Sequence, residues 1–155
     1  PNFTLTNSYL ANNVAGASTG AVVSLSNGSP LIQGNTFFMN DMPAVGSGAN
    51  QNVSARIIGN HLEFNGQANE NRPQINLGPT GTDTLKIIQN TIIGDPTMIK
   101  VGGIAVSNFF GGEIRVIIDD NVIRDNRYGI TIAADFPGVY GRKRSLKFLD
   151  PLYWQ

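Results

Sequence analysis

A six-residue pattern, Asn-x-apolar-x-x-Asn/Asp, returns five times along this chain, and it limits the fold more than any other feature. The five copies are Asn7-Ser8-Tyr9-Leu10-Ala11-Asn12, Asn35-Thr36-Phe37-Phe38-Met39-Asn40, Asn60-His61-Leu62-Glu63-Phe64-Asn65, Asn90-Thr91-Ile92-Ile93-Gly94-Asp95 and Asn121-Val122-Ile123-Arg124-Asp125-Asn126. Their leading Asn residues lie 28, 25, 30 and 31 residues apart. A self-similar period of this length is the mark of a chain built from stacked supersecondary units.

The flanks repeat as well. Short β-rich runs precede each Asn: Phe3–Leu5, Leu31–Ile32, Arg56–Ile58, Leu85–Ile88 and Val116–Ile118. A second run follows at a distance: Ala21–Leu25, Gln74–Leu77, Gly103–Val106 and Gly129–Ile132, with the weakest counterpart around Pro43-Ala44-Val45. Alternating Ile, Val and Phe in runs this short make half-buried strands rather than helices. Asn, Gly, Asp and Pro fill 52 of 155 positions, and Asn enters the left-handed backbone region more readily than other non-glycine residues. The separators are therefore expected to be sharp corners. A chain turning such corners with this period winds into a coil whose strands pair with their counterparts one turn away, about 4.8 Å along the axis. The expected interior ladder is Tyr9–Phe37–Leu62–Ile92–Ile123, and the expected amide ladder is Asn7–Asn35–Asn60–Asn90–Asn121.

These corners, with Asn126-Arg127-Tyr128-Gly129-Ile130-Thr131-Ile132, resemble the repeats of right-handed parallel β-helices of the pectin-lyase-like superfamily. The resemblance covers roughly residues 3–134. It implies an all-β fold, a right-handed parallel β-helix (solenoid) of about five coils over residues 1–135, with an irregular C-terminal tail over 136–155. The dense Leu consensus of a leucine-rich repeat is absent, and an antiparallel sandwich would not keep the long period. Solenoid ends need covering. The tail, with Phe148, Leu149, Leu152, Tyr153 and Trp154, is a candidate cap. Pro1 and the strand starting beside it suggest a piece of a larger protein.

Composition removes several function classes. Eleven basic and eleven acidic residues cancel, which argues against a nucleic-acid-binding footprint over the whole domain. No apolar run reaches the ~18 residues of a membrane helix. The chain has no cysteine, so it has neither disulfides nor thiolate metal sites.

Members of the superfamily include lyases, epimerases and glycosidases acting on polysaccharides. By that resemblance, outward charged side chains are the place to look for a site. The fifth repeat concentrates them: Asp119, Asp120 and Asp125 are candidate catalytic carboxylates, and Arg124 and Arg127 are candidate clamps for an acidic sugar. Glu63 and His61, the only histidine, are further substrate-binding candidates. No cofactor is expected; calcium is conceivable at paired carboxylates, but no motif supports it. The family motifs themselves are incomplete. Asp119-Asp120 is similar to the double-Asp element of polygalacturonases, without its Gly-His-Gly and Arg-Ile-Lys companions. Tyr128-Gly129-Ile130 resembles the start of an alginate-epimerase signature, but Thr131-Ile132-Ala133 follows where Asp-Pro-His is required.

Two smaller features read blandly. Arg142, Lys143, Arg144 and Lys147 form a basic run that reads as a solvated loop or a polyanion contact. Triplets of the form Asn-x-Ser/Thr begin at Asn2, Asn27 and Asn52, as often as so Asn-rich a chain produces them by chance. The expected function is a segment of a secreted or cell-surface β-helix that binds or processes carbohydrate. The alternative is a non-catalytic structural or adhesion segment, associating through coil ends or sheet faces.

Overall fold

The computed structural model describes residues 2–15, 20–48, 51–68, 72–80, 84–97, 101–107 and 115–132, together with the backbone of residues 147–148. The first coil holds β1 (Thr4–Thr6), β2 (Tyr9–Ala11) and β3 (Val23–Leu25). The second holds β4 (Leu31–Gln33), β5 (Thr36–Phe38) and β6 (Val45–Ser47), and the third β7 (Arg56–Ile58), β8 (His61–Glu63) and β9 (Ile75–Leu77). In the fourth are β10 (Thr84–Ile88), β11 (Thr91–Ile93) and β12 (Ile104–Val106); in the fifth, β13 (Arg115–Asp119), β14 (Val122–Arg124) and β15 (Ile130–Ile132). A last short strand, β16 (Lys147–Phe148), follows.

From β1 to β15, strands three places apart pair in parallel. Three sheets result: β1-β4-β7-β10-β13 (sheet A), β2-β5-β8-β11-β14-β16 (sheet B) and β3-β6-β9-β12-β15 (sheet C). The molecule is thus a parallel β-solenoid of about four full turns from β1 to β13, as the repeat requires. Tail residues Lys147 and Phe148 pair with Val122 and Ile123, adding a sixth strand to sheet B. The tail's other apolar residues, the basic run at 142–144 and the boundary at 135 lie outside the described residues.

Strand alternation sends one column of each sheet inward. In sheet A this column is Leu5–Ile32–Ile57–Ile87–Ile118, and in sheet B it is Leu10–Phe37–Leu62–Ile92–Ile123. Sheet C contributes Val45, Ile75 and Ile104 and, two residues on, Leu77 and Val106. Phe37, Leu62 and Ile92 are fully buried, each worth roughly 1.5–3 kcal/mol of apolar transfer. Leu5, Leu10, Ile118 and Ile130 are only half-buried, because a described coil covers each on one side alone.

The first coil corrects the expected register by one residue. Tyr9 pairs with Thr36 and points to solvent, 69% exposed, while Leu10 takes the interior place opposite Phe37. Asn7 likewise stays out of the amide ladder, and the Ser8 N–H donates to Asn35 Oδ1 in its stead. A one-residue slip in a strand exchanges its faces.

The corner chemistry also differs from expectation. Left-handed φ between sheets A and B belongs to the residue before each ladder Asn, namely Gly34, Gly59, Gln89 and Asp120, and in the first coil to Asn7, before Ser8. The ladder residues Asn35, Asn60, Asn90 and Asn121 instead bury their amides, each no more than 2% exposed. Asn60 Oδ1 accepts from the Asn35 N–H and Nδ2, Asn90 Oδ1 from those of Asn60, and Asn121 Oδ1 from those of Asn90, all at 2.9–3.0 Å. Each Nδ2 also donates to a carbonyl of the preceding coil, such as Ile32 O for Asn60 and Ile57 O for Asn90. Asn35, Asn60 and Asn90 are thereby satisfied from the coils on both sides, while the Asn121 Nδ2 donates to Ile87 O and to Asp119 O of its own coil.

Candidate functional site

The outer face of sheet B collects most of the substrate-binding residues expected from sequence. Register places Tyr9, Thr36, His61, Thr91 and Val122 in one outward column, and Ala11, Phe38, Glu63, Ile93 and Arg124 in the next. His61 and Glu63 are two residues apart on β8, so alternation turns them to the same side. Their side chains meet, with His61 Nε2 2.9 Å from Glu63 Oε2, at 40% and 27% exposure. The pair is open to solvent on the face.

An aromatic wall stands beside the pair. Phe38 and Phe64 have ring centroids 6.2 Å apart and tilted by 40°, within the range of favourable aromatic contact. Phe64 is at the corner that follows β8, where its φ is +56°; Met39 has the same place one coil earlier, with φ +50° and 40% exposure. Bulky side chains are rare in this region, which costs about 1–2 kcal/mol per residue. The corner accepts that strain, and apolar side chains line the edge of the face as a result.

The other expected residues are dispersed. Asp119 projects from the outer face of sheet A, in the column Thr6–Gln33–Ile58–Ile88–Asp119, and its Oδ1 accepts the Asp120 N–H at 3.1 Å. Asp120 forms the A–B corner at φ +51°, and Asp125 the B–C corner at φ +57°. The length of β14 separates Asp125 from the other two carboxylates. Arg124 is on the sheet B face, two coils from Glu63, and its Nη1 approaches Asp125 Oδ2 at 4.0 Å in an exposed, loose contact. An ion pair of this kind contributes ~0–1 kcal/mol. Arg127 lies beyond the B–C corner, exposed, its N–H bonded to Val101 O. Next to it, burial pushes the Tyr128 hydroxyl above its ordinary pKa, against a smaller opposing pull from Arg127. The ring packs on Gly102, where a Cβ would lie 2.1 Å from Tyr128 Cζ.

Among the described residues, no three His, Asp or Glu side chains gather into a metal-holding group, and no helix is long and apolar enough to cross a membrane. The face can therefore orient and hydrogen-bond a ligand through a carboxylate, an imidazole and threonine hydroxyls, against an aromatic wall. Compared with models of known families, with curated proteins and with solved structures, the chain matches none.

Sequence reasoning passed over Phe38 and Phe64. Phe37-Phe38 reads as one apolar pair until strand alternation turns the second ring outward, and Phe64 lies at a position where Asn or Gly is the norm.

Proposed function

We propose that this chain is a carbohydrate-binding segment of a larger secreted or cell-surface β-helix of the pectin-lyase-like kind, and that it binds without cleaving. The observation that carries this reading is the His61–Glu63 pair held at 2.9 Å beside the Phe38–Phe64 wall. Small-ligand sites combine an apolar or aromatic surface with a few fixed polar groups. Here the rings offer a flat apolar wall to the C–H face of a sugar ring, and the Glu63 carboxylate accepts from its hydroxyls. Binding without cleavage fits the separation of Asp125 from Asp119 and Asp120 by the length of β14, since glycoside cleavage needs two carboxyl groups flanking one bond.

A glycan array followed by titration calorimetry tests the reading. The expected result is saturable binding to a subset of glycans, weakened roughly tenfold or more in both Glu63→Gln and Phe38→Ala, since a hydrogen bond to a charged group is worth about 1.5–3 kcal/mol. Thermal melts would confirm that both variants fold. Absence of glycan binding by the wild-type chain, or equal affinity in the variants, sinks the proposal and leaves the structural or adhesion role.

A further inference from the structure

The outer face of sheet A carries a charge arrangement unrelated to the sheet B face. One outward column runs Thr4–Leu31–Arg56–Lys86–Ile117. Arg56 and Lys86 are direct partners in it, so their backbones are one interstrand step apart, about 4.8 Å. Like charges directly opposite on neighbouring strands destabilise a sheet. Neither cation has an acidic partner among the described residues: the two ion pairs there, His61–Glu63 and Arg124–Asp125, belong to sheet B and its corner. The column to one side is polar and uncharged over the first four coils: Asn2, Ser29, Ser54 and Thr84. Its members are already tied together, Ser29 N–H to Asn2 Oδ1 at 2.7 Å and Ser29 Oγ to Ser54 Oγ. Between these columns the surface forms an open groove of about 560 Å³.

We infer that this groove is an oxyanion site: Arg56 and Lys86 hold one carboxylate, sulfate or phosphate-monoester group between them, and the Ser29 and Thr84 hydroxyls, with Ser29 backed by the buried Ser54, hydrogen-bond the hydroxyl-bearing chain to which that group is attached. The stacking of two cations leaves an unbalanced repulsion that a single bound oxyanion removes, and an Arg fork beside a Lys is suited to such a group. The site takes one anionic group rather than a run of them, because the other members of the column are Thr4, Leu31 and Ile117. Arg115 lies one coil on and in the neighbouring column, opposite Thr84, where it adds steering charge.

The spacing selects among ligand classes. A nucleic-acid backbone presents evenly repeated phosphates and is met by a strongly basic surface, and single strands are gripped by successive aromatic platforms. This groove has one aromatic, Phe3, at its end and two adjacent cations in a chain of zero net charge. An anionic membrane surface calls for clusters of about four to eight basic residues. A largely neutral saccharide with isolated acidic substituents fits the charges and the hydroxyl row together.

The test begins with inorganic sulfate on the full chain, which contains no sugar and so is independent of the sheet B reading. Side-chain ¹⁵N spectra should show saturable shifts of the Arg56 guanidinium and Lys86 ammonium signals. The same concentration of chloride at matched ionic strength should give less than a tenth of that response. Arg56→Gln and Lys86→Gln should each weaken sulfate binding tenfold or more. Lys86→Gln should also raise the melting temperature of the unliganded protein by relieving the repulsion, and abolish the further rise that sulfate gives the wild type. A monosulfated oligosaccharide should then bind at least tenfold tighter than its unsulfated parent. Equal responses to sulfate and chloride, undiminished sulfate binding in both variants, or a lowered melting temperature in unliganded Lys86→Gln would each overturn the oxyanion site. Equal binding of the two oligosaccharides would overturn its assignment to an acidic saccharide.

Discussion

The two corners that carry buried amides solve one problem in different ways. Between sheets A and B, four asparagines on consecutive coils form an unbroken ladder, Asn35–Asn60–Asn90–Asn121, joined at 2.9–3.0 Å. Between sheets B and C the ladder begins in the same manner, with Asn13 Nδ2 donating to Asn40 Oδ1 and Asn40 Nδ2 to Asn65 Oδ1. In the fourth coil it loses its rung. Gln74, from the third coil and fully buried, fills the gap. Its Oε1 accepts from Asn65 Nδ2 at 3.0 Å, while its Nε2 donates to Ile93 O at 2.7 Å and Asn126 Oδ1 at 3.1 Å. Thus Asn13 and Gln74 take the places that the repeat pattern alone would give to Asn12 and Asp95.

The difference shows what a solenoid demands of its corners. A buried amide ladder is directional, each oxygen accepting from the coil before, so a missing rung would leave a donor below and an acceptor above without partners. The fourth coil cannot supply its own rung because its corner backbone differs. Asn12, Met39, Phe64 and Asp125 all have positive φ at this corner, whereas Gly94 does not. A Cβ on Gly94 would lie 2.1 Å from Asp125 O; the chain crosses the next coil's corner too closely for any side chain. A longer amide reaching in from another segment meets the same hydrogen-bonding requirement.

Breaking the regular ladder should have the largest effect. Asn60→Ala removes the acceptor of the Asn35 N–H and a donor to Ile32 O, and it opens a polar void between coils. With each buried unpaired group costing ~1–3 kcal/mol, a loss of roughly 4 kcal/mol is expected in urea denaturation. Ser8→Ala supplies the contrast at the same corner. There the ladder uses only the backbone N–H, so the change should stay within about 0.5 kcal/mol. Comparable losses in the two variants would show that the side-chain ladder is not what holds this corner.

The repaired ladder should be the next most sensitive. Gln74→Leu keeps the volume close but strips a partner from each of the Asn65 N–H, Ile93 O and Asn126 Oδ1. A loss of roughly 3 kcal/mol is expected by the same reckoning, smaller than for Asn60 because Ile93 O keeps the Phe64 N–H and the half-buried Asn126 side chain is open to water. A calorimetric melt would detect it, and an unchanged melting temperature would mean that water replaces the Gln74 amide.

The same contrast explains what could be read from the sequence. The solenoid was legible because a period of 25–31 residues, with an apolar residue two places after each Asn, has few other physical meanings. The first coil misled, since Asn7 and the doubled Asn12-Asn13 satisfy the pattern in a register one residue away from the true one. Gln74 was invisible: its partners, Asn65 and Asn126, are 9 and 52 residues distant, and no local pattern announces a side chain that fills another coil's rung. The sheet faces fall between these cases. Arg56 and Lys86 each stand four residues before a ladder Asn, so their register can be counted once the ladder is fixed. The outward turn of Phe38, and its contact with Phe64, required the strands themselves.

The smallest effect separates composition from geometry. Asp95→Asn makes the fourth repeat match the others in sequence, and if residue type alone built the ladder, the protein should gain stability. The structure points the other way. Asp95 is turned toward its own loop, where Oδ1 accepts the Thr97 N–H at 2.8 Å and the Thr97 hydroxyl at 2.6 Å. An amide oxygen can keep both bonds, in the manner of an Asx turn. Gln74 already fills the rung, and the Gly94 backbone does not aim the next residue inward. The change is therefore expected to lie within about 0.5 kcal/mol of zero in urea denaturation. Asp95→Asn combined with Gln74→Leu should be no more stable than Gln74→Leu alone. If the double variant recovered the lost stability, the introduced amide would be able to enter the ladder, and the interruption would come from the identity of the side chain at that position rather than from the path of the backbone at Gly94.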